Sequence, residues 1–279
     1  MSEYIQKTIK DKVEFSGKAL QTGCNVKVTC FPGEINTGIV FKRTDISNSN
    51  IYKLGHIPLN TAMRRTVVGD KNDGIHTVEH FLSALWALGI SNLLINVEGP
   101  EMPAMDGSAI EYYKKIQEIG INIQDEKCNV IKITDIEKVQ QDDKFIEIIP
   151  NEKFNISYNI DYNVSCIKKE VFVLDNINQD IYEKQIASAR TFCLKEEAEA
   201  LLRMGLGKGA TYENTLVLDN NGPIQTTFRF PNEPVRHKVL DLIGDFYLLG
   251  KPIIGKVIAN KTGHDVNVKM IQLIKDKYC

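Results

Sequence analysis

Apolar residues recur along the chain with two different spacings. Short apolar runs at 27–30, 39–41 and 92–97 are typical of strands, and every second residue from Phe154 to Tyr162 is apolar. This alternation from Phe154 to Tyr162 predicts a half-buried antiparallel strand. Since the sequence shows no fixed repeat period and no low-complexity tract, the pattern predicts a mixed α and β fold.

Helical spacing of apolar residues marks five further segments. They comprise residues 76–88, 109–119, 194–204, 232–249 and 266–275. Gly89 and Gly205 stand where the first and third of these helices should end, and Gly250 with Pro252 closes the fourth. We expect a buried strand directly after them, over 253–258.

The domain organisation follows from length and from one polar stretch. The chain has 279 residues, which is enough for two domains on the usual length prior. The stretch 120–129, which contains Asp125, Glu126 and Lys127, is typical of a linker. We therefore predict one domain over residues 1–125 and a second over residues 126–279.

Composition and charge narrow the class of protein. Hydrophobic residues make up 43% and charged residues 25% of the chain, which excludes a disordered segment, a collagen-like repeat or a coiled-coil array. Lys and Arg number 34 against 36 Asp and Glu, so the net charge of −2 provides no field that favours nucleic acid. An anionic substrate must be met by local cations.

Targeting signals and paired cysteines are both missing from the sequence pattern. No run of about 18 apolar residues is present, and residues 1–4 lack the basic and apolar order of a signal peptide. We therefore expect a cytoplasmic protein that does not span a membrane.

No C-x-x-C spacing occurs, which favours reduced packing thiols over disulfides or a thiolate zinc site. The cysteines are Cys24, Cys30, Cys128, Cys166, Cys193 and Cys279.

One candidate for metal binding lies on the helix predicted at 232–249. His237 and Asp241 are four residues apart, which stacks their side chains on one helix face within reach of a single ion. Asp245 continues the same stripe one turn further on. The stripe is either a solvated helix face or part of a site that faces a cleft.

A second candidate is the pair Glu79 and His80. Adjacent positions place the two side chains about 100° apart around the helix axis, so Glu79 could reach a water on a metal held by His80. Together with His237 and Asp241, His80 would supply the three ligands of a catalytic zinc site with an open fourth position. His80 could equally be a core histidine beside a surface glutamate, because the H-E-x-x-H signature is absent.

Other polar motifs have ordinary structural explanations beside functional ones. His264 lies in a turn after a predicted strand, where it is either a presented catalytic group or an exposed turn histidine. Arg236 and Lys238 could meet a phosphate or be solvated. The glycines at 205–209 lack the spacing of a phosphate-binding loop and indicate a helix stop with a flexible loop. Two further histidines, His56 and His76, have no acidic or metal-ligating residues grouped with them in the sequence and are treated as structural.

The chain resembles the UDP-3-O-acyl-N-acetylglucosamine deacetylases, the zinc hydrolases of bacterial lipid A synthesis. Four gap-free stretches, spread over both halves, carry this resemblance. They are HTVEHFLSALWALGISNLLINVEGPEMPAMDGSA (76–109), SARTF (188–192), RFPNEPVRHKVLDLIGDFYLLG (229–250) and KTGHDVN (261–267). The resemblance therefore covers essentially the whole chain.

The resemblance implies a set of roles at named positions. Zn²⁺ would be bound by His80, His237 and Asp241, although such a set accepts several divalent ions, Fe²⁺ among them. Glu79 would be the general base and His264 the second acid/base or electrostatic group. The remaining roles implied are carbonyl polarisation by Thr191, substrate contact by Lys238 and orientation of His264 by Asp245. The implied reaction releases acetate from the UDP-linked sugar, the committed step of lipid A biosynthesis.

The resemblance also implies an α+β fold of two domains, each a mostly antiparallel sheet with helices packed at the domain interface. An insert at 194–218 would line a passage for the acyl chain, although an amphipathic helix packed on its own sheet explains the same residues. The chain is expected to act as a monomer. Substrate contacts are implied at Met63, Phe192, Lys238, Asp161, Tyr162, Leu201 and Gly209.

Three positions depart from the usual family pattern. Gln21 stands where the family usually has a histidine, and 161–165 reads DYNVS where an aromatic followed by His-Pro is usual. At 63–66 the chain reads MRRT, so we expect a more basic entrance to the site. These departures leave open a zinc amidase that acts on a different acylated amino sugar. A silent paralogue that binds zinc or acyl sugar without turnover is a third possibility, disfavoured because binding alone needs neither Glu79 nor His264.

Overall fold

Two five-stranded sheets, one in each half of the chain, form the framework of the protein in this computed structural model. It describes residues 4–162 and 164–279. Residues 1–3, which belong to the segment inspected for a signal peptide, and Asn163, within the altered stretch 161–165, lie outside the described residues. Alternating burial along the strands places one face of each sheet in a continuous hydrophobic core.

The first half carries strands and helices within residues 5–127. Its strands are β1 (Ile5–Ile9), β2 (Val13–Lys18), β3 (Asn25–Pro32), β4 (Ile39–Arg43), β5 (Ile51–Lys53), β6 (Leu59–Ala62), β7 (Arg65–Val68), β8 (Ile75–His76), β9 (Leu93–Glu98) and β10 (Ile121–Lys127). Its helices are α1 (Glu79–Leu88) and α2 (Ile110–Ile119). The large sheet has the order β2-β3-β9-β4-β5, and β6-β7-β8 forms a small sheet inserted between β5 and β9.

The second half repeats this arrangement within residues 131–278. Its strands are β11 (Ile131–Lys132), β12 (Glu137–Gln141), β13 (Lys144–Ile149), β14 (Asn155–Ile160), β15 (Glu170–Leu174), β16 (Phe192–Leu194), β17 (Leu216–Asp219), β18 (Gly222–Pro223), β19 (Ile253–Ile254) and β20 (Lys256–Asn260). Its helices are α3 (Gln179–Gln185), α4 (Lys195–Arg203), α5 (Glu233–Phe246) and α6 (His264–Tyr278), with a 3₁₀ turn at Tyr247–Leu249. The large sheet has the order β12-β13-β20-β14-β15, and β16-β17-β18 is the inserted small sheet.

The two large sheets share one topology. In each, the last strand lies in the centre, antiparallel to one neighbour and parallel to the other. In each, a buried helix precedes that central strand: α1 comes directly before β9, and α5 comes before β20 with the 3₁₀ turn and β19 between them. These two helices pack against each other between the sheets. The predicted α+β class, with mostly antiparallel sheets and helices at the interface of the halves, is confirmed.

The helix predicted at 76–88 begins later than the periodicity suggests. Residues Ile75–His76 form β8, and α1 begins only at Glu79. Thr77 between them has φ of 56°, and its hydroxyl donates to the buried carboxylate of Glu101. This left-handed residue cannot belong to a right-handed helix. The apolar pattern begins before the helix because Val78, the residue that precedes α1, is buried in the same core.

Two other expectations are also corrected. The stretch predicted as a linker is strand β10, which pairs antiparallel with β1. Its residues are mostly exposed, so a polar sequence forms a regular strand without showing an apolar face. The strand expected at 253–258 is split at Gly255 into β19 and β20, which join different sheets. In the described part of the chain, no helix has the length and apolar character needed to cross a membrane.

The contact between α1 and α5 depends on one glycine. A Cβ added at Gly244 would lie 2.0 Å from the carbonyl oxygen of Glu79, closer than any real side-chain contact. Any larger residue must therefore push the two helices apart.

We predict that Gly244→Ala lowers the free energy of unfolding by about 1–3 kcal/mol, the usual cost of overpacking a core. Urea titration followed by circular dichroism measures it. Gly17→Ala is the matched control, because its Cβ would meet only Pro103 Cβ at 3.6 Å. That variant should stay within about 0.5 kcal/mol of the native protein, and an equal loss in both variants would contradict the prediction.

Candidate active site

Ligand atoms from the two central helices converge on one point. His80 lies on α1, and His237 and Asp241 lie one turn apart on α5, with all three side chains buried. Their ligand atoms are within 4.8 Å of one another. Asp241 Oδ1 lies 3.2 Å from His237 Nε2 and 3.7 Å from His80 Nε2. The stripe on α5 therefore faces a cleft and is not a solvated surface.

These residues fit a divalent metal ion. Asp241 Oδ1 is buried and accepts no hydrogen bond from any described residue, an arrangement that is costly unless a cation binds there. Nδ1 of His237 lies 3.0 Å from Ala189 O, which leaves Nε2 to face Asp241. Two imidazoles and one carboxylate form a donor set used by catalytic metal ions that keep one position open.

Burial and neighbouring charge set the protonation of the ligands. Burial lowers the pKa of His80 to about 3, and His237 adds to this effect. Burial opposes ionisation of Asp241, but His237 and Lys238 hold the pKa of its carboxyl well below its usual range. Lys238 Nζ donates to Asp241 Oδ2 at 2.9 Å. A neutral imidazole and an ionised carboxylate are the forms that bind metal.

Glu79 lies beside the ligand set at the first turn of α1. Thr66 N–H donates to its Oε2 at 3.2 Å, and its Oε1 lies 3.8 Å from His264 Nε2. Burial raises the pKa of the Glu79 carboxyl to about 8. A carboxyl group with a pKa near neutrality can both accept and return a proton. The sequence alternative of a surface glutamate is therefore wrong, since Glu79 is buried.

His264 faces the same point from the start of α6. Its Nδ1 lies 2.9 Å from Asp245 Oδ2, so its Nε2 is directed at Glu79 and Asp241. Burial alone would lower the pKa of His264, but the Asp245 carboxylate outweighs it and raises the pKa to about 9. Thr66 Oγ1 and Asn267 Nδ2 both donate to Asp245 and hold it in place. The His264 side chain is thus only 10% exposed, and it is not an exposed turn histidine.

An apolar cavity of about 540 Å³ opens beside the ligand set under α4. Leu201, Thr191 and Phe192 line it, together with Gln21 and Arg64. Gly209 does not line this cavity, although a substrate contact was expected there. Its backbone is packed against Ala19, where an added Cβ would lie 2.1 Å from the carbonyl oxygen.

A second, more polar cavity of about 760 Å³ meets the first at the ligand set. Met63, Asp161, Tyr162 and Lys238 line it, and Thr191 and Phe192 line both cavities. Asp161 Oδ2 is 3.2 Å from the ammonium groups of Lys261 and Lys169. Of the two arginines at 64–65, Arg64 lines both cavities, whereas Arg65 lines neither and donates to His76 Nδ1.

Sequence reasoning missed residues that act through the backbone or from distant strands. Thr66 supports both Glu79 and Asp245, yet it is a threonine on a short strand with no periodic signal. Ala189 contributes only its carbonyl oxygen to His237. Arg190 beside it is fixed by a buried ion pair with Glu233 at 2.9 Å. Only the presence of SARTF among the family-like stretches pointed to this segment.

The site combines converging ligands that have an unsatisfied oxygen with a buried carboxylate next to them and a charged histidine facing that carboxylate. Metal-dependent hydrolases use these groups to activate water. The site defines this class of enzyme. The sequence model for LpxC, UDP-3-O-acyl N-acetylglycosamine deacetylase, matches residues 6–276, and the chain belongs to this family.

Curated relatives agree with the family match. A UDP-3-O-acyl-N-acetylglucosamine deacetylase of Acidithiobacillus ferrooxidans is 38% identical over 273 residues, covering 96% of this chain and 89% of the relative. The deacetylase of Myxococcus xanthus is 36% identical over 281 residues, covering 100% and 89%. That of Helicobacter pylori is 38% identical over 272 residues, covering 96% and 90%.

We predict that Asp241→Asn weakens binding of a divalent metal by more than about tenfold, since it removes a charged ligand from the set. Equilibrium titration with Co²⁺, followed by visible absorption, measures this. Asp265→Asn is the control, because Asp265 lines the second cavity but is not one of the three converging ligands. Equal affinities for Co²⁺ in the native protein and Asp241→Asn would exclude this ligand set.

Proposed function

We propose that this protein is a zinc-dependent UDP-3-O-acyl-N-acetylglucosamine deacetylase, which hydrolyses the sugar acetamide to a free amine and acetate. Its reaction would be the committed step of lipid A biosynthesis. One observation carries the proposal: the buried, unsatisfied Oδ1 of Asp241 between two imidazoles, in a chain of this family. His80, His237 and Asp241 would hold the ion, and Zn²⁺ suits this donor set, as does Fe²⁺.

When bound, the ion would lower the pKa of a water molecule and polarise the acetamide carbonyl. The rest of the chemistry falls to side chains of this chain. Glu79 is the proton acceptor for the attacking water at Oε1, because Oε2 already accepts from Thr66 N–H. A pKa near 8 lets the same carboxyl pass the proton on.

His264 supplies positive charge beside Glu79, since its Nε2 lies 3.8 Å from Glu79 Oε1. Its Nδ1 is engaged by Asp245, so the proton available for transfer is at Nε2. There it stabilises the developing oxyanion and can protonate the leaving amine. Thr191, at the junction of the two cavities, is the second group placed to polarise the carbonyl.

The two cavities suit the two ends of the substrate. The apolar cavity with Leu201 and Phe192 would take the acyl chain, and the polar cavity with Lys238, Asp161 and Tyr162 would take the sugar and nucleotide. Met63 lies at the rim of the polar cavity, where it would cover the sugar.

A second candidate is a deacetylase for an acylated amino sugar without UDP. Asp161 favours it, because this carboxylate faces the polar cavity and neutralises Lys261 and Lys169. A diphosphate would have to compete with Asp161 for these ammonium groups.

The organisation of the chain belongs to the same proposal. We infer a domain boundary between residues 127 and 131, a few residues beyond the predicted one at 125, because every described strand pair lies either within residues 5–127 or within residues 131–260. We also infer a monomer in the cytoplasm. The unpaired state of all six cysteines supports the reducing compartment.

We predict that Glu79→Gln and His264→Ala each lower kcat for acetate release by about 10²–10⁴, the usual contribution of a positioned acid or base. The assay uses UDP-3-O-acyl-N-acetylglucosamine and Zn²⁺-loaded protein, before and after chelation. The exposed residues Glu98 and His56 provide matched controls as Glu98→Gln and His56→Ala. Absence of turnover in the zinc-loaded native protein would overturn the proposal, and equal turnover without the UDP group would favour the second candidate.

A further inference from the structure

The inserted small sheets of the two halves meet over the apolar cavity. Arg64 lies in the tight turn between β6 and β7, and Glu197 lies in the first turn of α4. Arg64 Nη1 is 2.8 Å from Glu197 Oε2, and Arg64 Nη2 donates to Phe192 O at 3.1 Å. One arginine of the first half thus holds both β16 and α4 of the second.

Helix α4 continues directly from β16 and contacts β16 and β17, but it is only partly covered. It carries no buried residue, although Leu201 and Leu202 line the apolar cavity. The loop that follows α4 is anchored firmly to the first half: Gly207 N–H donates to Gln21 Oε1, and Gly209 N–H donates to Leu20 O. Glu197 therefore ties the first turn of α4 to the first half of the chain, as the loop ties the end of the helix.

The Arg64–Glu197 pair is a partly exposed contact of modest strength. The two side chains remain 33% and 39% exposed, and ion pairs with such exposure contribute little to stability and are screened by salt. Arg64 also lines both cavities, so it stands where the acyl chain would pass from the sugar into the apolar space. A change at this position alters the cavity wall while the metal ligands stay in place.

We propose that the Arg64–Glu197 ion pair sets selectivity for a long acyl chain by holding α4 as the wall of the apolar cavity. Arg64 and Glu197 are positioning residues here, since they act on the acyl chain of the substrate through Leu201 and Leu202. The inference rests on the proposed deacetylase function. With the pair broken, the cavity is less preorganised, and a long chain must order α4 when it binds.

The test compares two esters, UDP-3-O-myristoyl-N-acetylglucosamine and UDP-3-O-acetyl-N-acetylglucosamine. Glu197→Gln removes the charge but keeps an amide oxygen to accept from Leu194 N–H, as Glu197 Oε2 does at 2.8 Å. Arg64→Met removes the guanidinium. Each should lower kcat/KM for the myristoyl ester by up to about fivefold, in KM and not in kcat, which matches an exposed ion pair. The acetyl ester has no chain to fill the apolar cavity and should lose less, so the ratio of the kcat/KM values for the two esters should fall in each variant.

Two further measurements separate this role from a general loss of structure. Glu196→Gln makes the same charge change on the same helix at a residue outside the pair, and it should leave both esters unaffected. The double variant Arg64→Met with Glu197→Gln should lose no more than either single variant, because the two residues act through one interaction. Backbone amides of 195–203 should exchange hydrogen faster in both single variants, while those of 79–88 should not.

The outcomes distinguish the inference from the function on which it rests. An unchanged ratio between the two esters in Glu197→Gln and Arg64→Met, additive losses in the double variant, or the same loss in Glu196→Gln would overturn the inference alone. No acetate release by the zinc-loaded native protein from either ester would overturn both the proposed function and the selectivity.

Discussion

The close approach of α1 and α5 is the constraint on which the rest of the structure depends. Gly244 lets the α5 backbone approach the carbonyl of Glu79, and that contact brings His80 beside His237 and Asp241. Both helices precede the central strand of their sheet, so the shared topology of the halves places them opposite each other. The candidate active site is therefore built at the axis of the fold, from the two equivalent helices.

Electrostatics explains why this site calls for a cation. The three carboxylates of Glu79, Asp241 and Asp245 are buried, and one ammonium, Lys238, and one imidazolium, His264, lie half-buried beside them. Metal binding requires the ligand imidazoles in their neutral form, so they add no positive charge of their own. A buried oxygen without a partner is expensive, and a divalent ion at Asp241 Oδ1 would satisfy that oxygen and add positive charge among the carboxylates. The same groups that would perform the chemistry thus favour metal binding.

Much of this could be predicted from the sequence, and the gaps have physical reasons. The spacing of His237 and Asp241 is a local property of a helix, so it was visible without the fold. The meeting of His80 with that pair is a tertiary contact, which the residue types offered as one of two alternatives and the family resemblance implied. Strand β10 was hidden because an exposed edge strand needs no apolar face. The duplicated topology was invisible because it is a property of strand order, which different sequences can satisfy.

The departures from the family pattern fall on cavity walls, away from the helix contact. Gln21 and Arg64 line the apolar cavity, and Asp161 lines the polar one. A wall residue can change its charge or length while the metal ligands stay fixed, because α1 and α5 hold those ligands through packing that the walls do not share. The positions of Glu79 and the metal ligands depend on the helix contact at Gly244, so they cannot change without changing that contact. The architecture thus separates the reaction from the choice of substrate, and differences in specificity should appear at Gln21, Arg64 and Asp161.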